Sequence, residues 1–149
     1  MKIFSRFSGL PAVILITAFV LAAGVRLSGV NAELTSALVH NPTQIRAGGT
    51  GTPVYATGNI NYVNDTINNL WLQLFATYYL DGTDKGTDWA GESVEIGSGA
   101  TSLCPVKSVQ AQPFQVGNSL PLYAYATVKA NSVSYNSWTT DTVTVLIVN

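Results

Sequence analysis

A chain of 149 residues with 7 Lys+Arg, 8 Asp+Glu and a single His has room for one modest domain and too little basic charge for a nucleic-acid partner. One cysteine, Cys104, cannot close an internal disulfide, so stability must come from packing or from neighbouring subunits. Hydrolytic and zinc chemistry find no support either: there is no G-x-S-x-G elbow, and the lone His40 has no Cys/His spacing around it.

In chain order, Lys2 and Arg6 precede the uncharged apolar run Leu10–Gly24, and a polar stretch leads to Val30-Asn31-Ala32, with small residues at −3 and −1 of a signal-peptidase cut. The order predicts a secretory signal peptide over 1–32, cleaved after Ala32, and a secreted product with no membrane partner. The alternative is an uncleaved anchor. Against it stand a run shorter than the roughly 20 apolar residues of a spanning helix and the charge of Arg26. A prepilin-type leader is disfavoured because Phe7-Ser8-Gly9 place no basic residue beside the cut. After cleavage Arg46, Lys85, Lys107 and Lys129 face all eight acids, a net charge near −4.

Residues 33–52 read as a strand segment followed by a glycine-rich linker, Gly48-Gly49-Thr50-Gly51-Thr52. Leu34 with Leu38, or Ala37 with Val39, shares a face, and Ile45 follows. One reading is a first strand and a loose turn. The other is a detachable strand, anchored by Leu34, Leu38, Val39 and Ile45, that completes a neighbour's sheet and so builds an open filament. Pairing of Glu33–Ala47 within its own sheet would weaken that second reading.

Residues 53–149 show period-two alternation in Pro53–Val63, Leu70–Leu80, Leu122–Lys129 and Thr142–Val148, separated by turn residues such as Asp81-Gly82 and Gly117-Asn118. With weaker strands at Glu92–Ile96 and Ser108–Val116, about seven strands predict an all-β, two-sheet immunoglobulin-like sandwich. Leu70–Leu80, Leu122–Lys129 and Val143–Val148 take the places of its C, F and G strands. Their outer face then carries Trp71, Phe75, Tyr79, Tyr123 and Tyr125, an aromatic surface of the kind that marks an interface or ligand site. The competing expectation is that loops such as Asp81–Gly91 cover these rings. Trp89 and Trp138 fall in predicted loops.

No residue is assigned to catalysis, to a cofactor or to a metal. Asp81 to Glu92 has the length of an EF-hand loop but carries Lys85 at the fifth position, so a solvated loop is the default reading. Cys104 reads as a buried small hydrophobe, with an intermolecular or reactive thiol as alternative. Asn64-Asp65-Thr66 makes Asn64 a glycan acceptor in a predicted turn. Lys129 points outward, against an isopeptide crosslink.

The leader through Ala32, the segment Glu33–Ala47, the glycines Gly48–Gly51 and the charge-poor body together resemble small secreted subunits of archaeal surface filaments, the threads, which polymerise by donor-strand complementation. The resemblance covers the whole chain. It implies a structural or adhesive homo-polymer, a pilus-like surface or biofilm fibre, rather than an enzyme. That family is heavily glycosylated, and this chain has one sequon. The reading set beside it is a monomeric extracellular module that binds carbohydrate or a surface protein through Trp71, Phe75, Tyr79 and Tyr123.

Overall fold

The computed structural model describes residues 29–149. They form β1 (Val30–Val39), β2 (Gln44–Arg46), β3 (Thr52–Asn64), β4 (Leu70–Leu80), β5 (Thr83–Val94), β6 (Gly97–Leu103), β7 (Val106–Val109), a 3-10 turn (Pro113–Gln115), β8 (Ser119–Ala130), β9 (Val133–Thr139) and β10 (Val143–Val148). One sheet runs β1-β3-β6, with β7 also on β3; the other runs β2-β10-β8-β4-β5, with β9 also on β8. The all-β sandwich expected from the alternation is the fold. β4, β8 and β10 are adjacent, as the C, F and G assignment requires.

Ten strands replace the expected seven or so because β2 pairs as a strand separate from β1 and the polar stretches of β6 and β9 pair as well, while β5 starts well before the expected Glu92. β5 and β9 are edge strands, each with one ladder partner, so most of their side chains stay partly wet and show no apolar alternation. Asp81 (φ 51°) and Gly82 (φ 71°) make the two-residue hairpin into β5, and Asn131 (φ 45°) and Ser132 (φ 70°) the one into β9. Positive φ at both central positions matches the right-handed twist of the flanking strands.

The inward residues of β4, namely Leu70, Leu72, Leu74, Ala76, Tyr78 and Leu80, are fully buried, as are Leu122, Ala124, Ala126 and Val128 of β8. Each large aliphatic side chain so buried contributes about 1.5–3 kcal/mol. Opposite lie Leu34, Val54, Ala56, Ile60 and Val109. Gly58 lets the sheets meet: a Cβ there would stand 2.8 Å from Leu34 Cδ1 and 2.5 Å from Leu74 Cδ2. The Tyr78 hydroxyl donates to the Pro105 carbonyl at 2.6 Å, and burial pushes its phenol pKa upward.

The segment over 33–52 is integral to this core. β1 pairs antiparallel with β3 from Val30↔Asn64 to Val39↔Ala56, and β2 pairs parallel with β10. A bulge between Leu34 and Ser36 resets the register. Ala32 and Leu34 point inward before it, and Ala37 and Val39 after it, so Leu38 is turned out to 49% exposure. The expected glycine linker is a tied corner. The Ala47 N–H donates to the Val148 carbonyl, Ser108 Oγ donates to the Thr50 carbonyl, and Gly51 (φ 75°) packs where a Cβ would meet the Val109 carbonyl at 2.8 Å.

Residues 1–28 of the expected signal peptide lie outside the described residues. Its last four positions do not: Gly29 precedes β1, Val30, Asn31 and Ala32 open it, and Ala32 is buried.

Candidate recognition surface

The outward positions of β4 are Trp71, Gln73, Phe75, Thr77 and Tyr79. Across the ladders they meet Ser93, Gly91, Trp89, Thr87 and, past a register shift, Asp84 of β5, and Lys129, Thr127, Tyr125 and Tyr123 of β8. The five aromatic residues expected on this face are all on it. The loop expected to cover them is instead the strand β5, which lies beside them and adds Trp89 to the same surface. Trp138 is likewise in a strand, β9, opposite the inward-facing Ala126.

The rings are ordered against one another. Tyr79 and Tyr123 stack with centroids 5.1 Å apart and planes 10° from parallel; Phe75 and Trp89 stand 6.2 Å apart at 30°. Pairs of this kind contribute about 0.5–1.5 kcal/mol beyond their buried area. Lys129 Nζ lies 4.5 Å from the Phe75 centroid, a cation–π contact that caps the one ring lacking a polar atom. Gly91 leaves room for Trp71, whose Cζ2 would be 3.0 Å from a Cβ there. Trp71, Trp89 and Tyr125 keep 41%, 50% and 45% of their surface in solvent.

Between the rings sit hydroxyl pairs: Thr77 with Thr87, and Thr127 with Ser137, each at 2.7 Å. No outward position of β4, and none paired with it on β5 and β8, holds an aliphatic side chain. Flat π faces interleaved with hydroxyl, amide and ammonium groups can stack on a ligand's C–H face and hydrogen-bond its rim. Trp89 was missed by sequence reasoning. The alternation Thr87, Trp89, Gly91, Ser93 was present, but charged neighbours masked it.

Other candidates are placed elsewhere. Asn64 is fully buried. Its Nδ2 donates to the Asn68 and Glu95 carbonyls, and its Oδ1 accepts from the Thr66 N–H and Oγ1. That network occupies the amide a glycan would need, and the sequon threonine with it. Cys104 is exposed rather than buried, because it follows β6 where the chain leaves the sheet; Thr57 Oγ1 donates to its sulfur at 3.4 Å, and His40 Nε2 lies 2.7 Å from the same hydroxyl. The acids from Asp81 to Glu95 are strung along the β4–β5 hairpin and β5, and no group of three metal-ligating side chains occurs among the described residues.

Of the proposed exchange residues, Leu34, Val39 and Ile45 are buried in the home core, whereas Leu38 is on the surface. Asn136 of β9 locks β1 from its free edge: Oδ1 accepts the Leu34 N–H at 2.7 Å and Nδ2 donates to the Leu34 carbonyl at 2.9 Å. The amide takes the place of a ladder partner at the bulge.

The fold and this surface define an all-β sandwich with an aromatic sheet face. The chain matches no protein-family model, no curated protein and no solved structure.

Proposed function

We propose that this chain is a secreted, cell-surface β-sandwich module, not an enzyme, that binds carbohydrate through the outer face of its larger sheet. The observation that carries the reading is the makeup of that face. Around β4 it presents aromatic rings among hydroxyl, amide, ammonium and carboxylate groups, and the sheet's exposed aliphatic side chain, Leu146, lies apart from them on β10. Sugars offer flat C–H faces ringed by hydroxyls, which such a surface matches. A protein partner's aliphatic hot spot finds little to pack on there. Retention on immobilised polysaccharides tests it: the native chain is expected to be held, and Trp71→Ala and Trp89→Ala to be released. Equal retention of all three overturns it.

A second reading is the homo-polymeric filament built by strand exchange. β1 is paired at home, which weighs against it. In its favour, β1 is an edge strand joined to β2 by the exposed turn His40–Thr43, in which Thr43 holds φ 62°, a strained value for a β-branched residue. Strain in a short hinge favours swapping of the strand it tethers. Electron microscopy of concentrated protein decides it, since ordered filaments are expected from exchange and uniform monomers from its absence.

A further inference from the structure

Three aliphatic side chains stand far out of the fold: Ile67 is 90% exposed, and Ile96 and Val133 are each 59% exposed. They are 29 to 66 residues apart in sequence but lie at one end of the sandwich. Ile67 lies in the β3–β4 loop, Ile96 at the β5–β6 turn and Val133 at the β8–β9 turn. The Asn64 side chain bridges the first two loops, and the Asn131 N–H donates to the Trp71 carbonyl beside them. The same end receives the chain. The Asp65 N–H donates to the Gly29 carbonyl at 3.0 Å, and the Tyr135 hydroxyl to the Val30 carbonyl at 2.9 Å. At the opposite end the tips are Asp81-Gly82 and Asn118, and two apolar side chains, Phe114 and Leu146, are exposed there, on the 3-10 turn and on β10.

We infer that the Gly29 end of the sandwich is seated on a lipid bilayer, with Ile67, Ile96 and Val133 dipping into its interface and the chain upstream of Gly29 kept as the anchor. The sequence outside the described residues argues for that occupant. The apolar run Leu10–Gly24 is short for a span by itself, but with Phe7-Ser8-Gly9 and Val25 the uncharged stretch between Arg6 and Arg26 reaches 19 residues, within the 17–25 that suffice to span a hydrocarbon core. Only Arg26, Leu27 and Ser28 separate that run from Gly29, a reach of roughly 14 Å at full extension. A domain so tethered stands with this end against the headgroups. Among the described residues the loops at this end carry Asp65 and Glu95 and no cluster of Lys or Arg, so insertion here is apolar and independent of anionic lipid.

The involvement of Gly29–Ala32 in the fold points the same way. Cleavage after Ala32 would strip the first three residues of β1 and two hydrogen-bonded carbonyls from the folded domain. The inference goes beyond carbohydrate binding, because it uses one end of the sandwich and leaves the sheet face free.

The test uses the full chain purified from membranes and reconstituted in phosphatidylcholine vesicles. Its N-terminus, read by intact mass, is expected upstream of Gly29; a start at Glu33 overturns the inference. In a Cys104→Ser background, a polarity-sensitive dye at Ile96→Cys, with Ile67→Cys as a second site, is expected to shift to the blue and to be quenched by spin-labelled lipid. The same dye at Thr83→Cys is expected to do neither. Equal emission at both ends, or a blue shift that tracks protein concentration without lipid, overturns it. Polysaccharide retention is read on separate variants, so either proposal can fail alone.

Discussion

Asn64 shows how one residue type can invite opposite readings. As a sequon it asks for solvent, but its four hydrogen bonds tie the β3–β4 loop to the β5–β6 turn from inside. Replacing it with Ala takes the partner from the Glu95 carbonyl and the Thr66 N–H, while Thr66 Oγ1 still donates to the Asn68 carbonyl, and a buried unpaired group costs about 1–3 kcal/mol. Asn64→Ala is therefore expected to lower the urea midpoint by that equivalent at unchanged slope, while the native chain's mass at this site stays that of bare peptide. A glycan-sized mass increment removed by Asn64→Ala contradicts the assignment. Tyr78 makes a pH-dependent case. Its folded pKa is raised, so the fold favours the protonated phenol; that stabilisation is complete below the unfolded value near 10 and is lost as pH climbs past it. Thermal melts are expected to be flat in Tyr78 protonation up to about pH 9 and to fall above about 10. Tyr78→Phe should flatten that alkaline fall and cost about 1 kcal/mol at neutral pH through the lost hydroxyl hydrogen bond, the Pro105 carbonyl keeping the Ala56 N–H. An identical alkaline fall in both proteins refutes the argument.

At the scale of elements, legibility follows burial. β4 and β8 lie between other strands of their sheet, so their inward faces are dry and alternation alone assigns both faces correctly, the aromatic one included. β5 and β9 are edges. Their polar sequences satisfy one ladder and solvent, which leaves no apolar period to read, and Trp89 was lost with them. β1 failed differently: its pattern was visible, but the bulge at Leu34/Ser36 changes phase, so that neither Leu34 with Leu38 nor Ala37 with Val39 alone describes its inner face. Asn136 holds that bulge. Asn136→Ala should accelerate amide exchange across Val30–Val39 while β4 and β8 keep their protection, because the free edge of β1 loses the clamp at its bulge and keeps only the Tyr135 contact at Val30. Uniform acceleration across both sheets would instead mean that β1 opens only with the whole domain.

For the whole molecule the decisive boundary is where the fold begins. Sequence placed it after Ala32 on the small residues at −3 and −1, a pattern read by a peptidase on an unfolded chain and blind to packing. Packing includes Gly29–Ala32 in the fold. Ala32 is buried, the Val30 and Gly29 carbonyls accept from Tyr135 and Asp65, and Val30–Ala32 pair with Asn64–Tyr62. At about 1 kcal/mol per hydrogen bond, removing these contacts costs roughly 2–3 kcal/mol. In a domain of this size each kcal/mol moves the melting temperature by about 4 °C. A chain beginning at Glu33 is therefore expected to melt roughly 8–12 °C below one beginning at Gly29, with exchange at Glu33 and Leu34 raised most. Equal melting temperatures would show that Val30–Ala32 add nothing to the fold. Processing after Ala32 would then be free to release Glu33 as a strand end for a neighbour to capture.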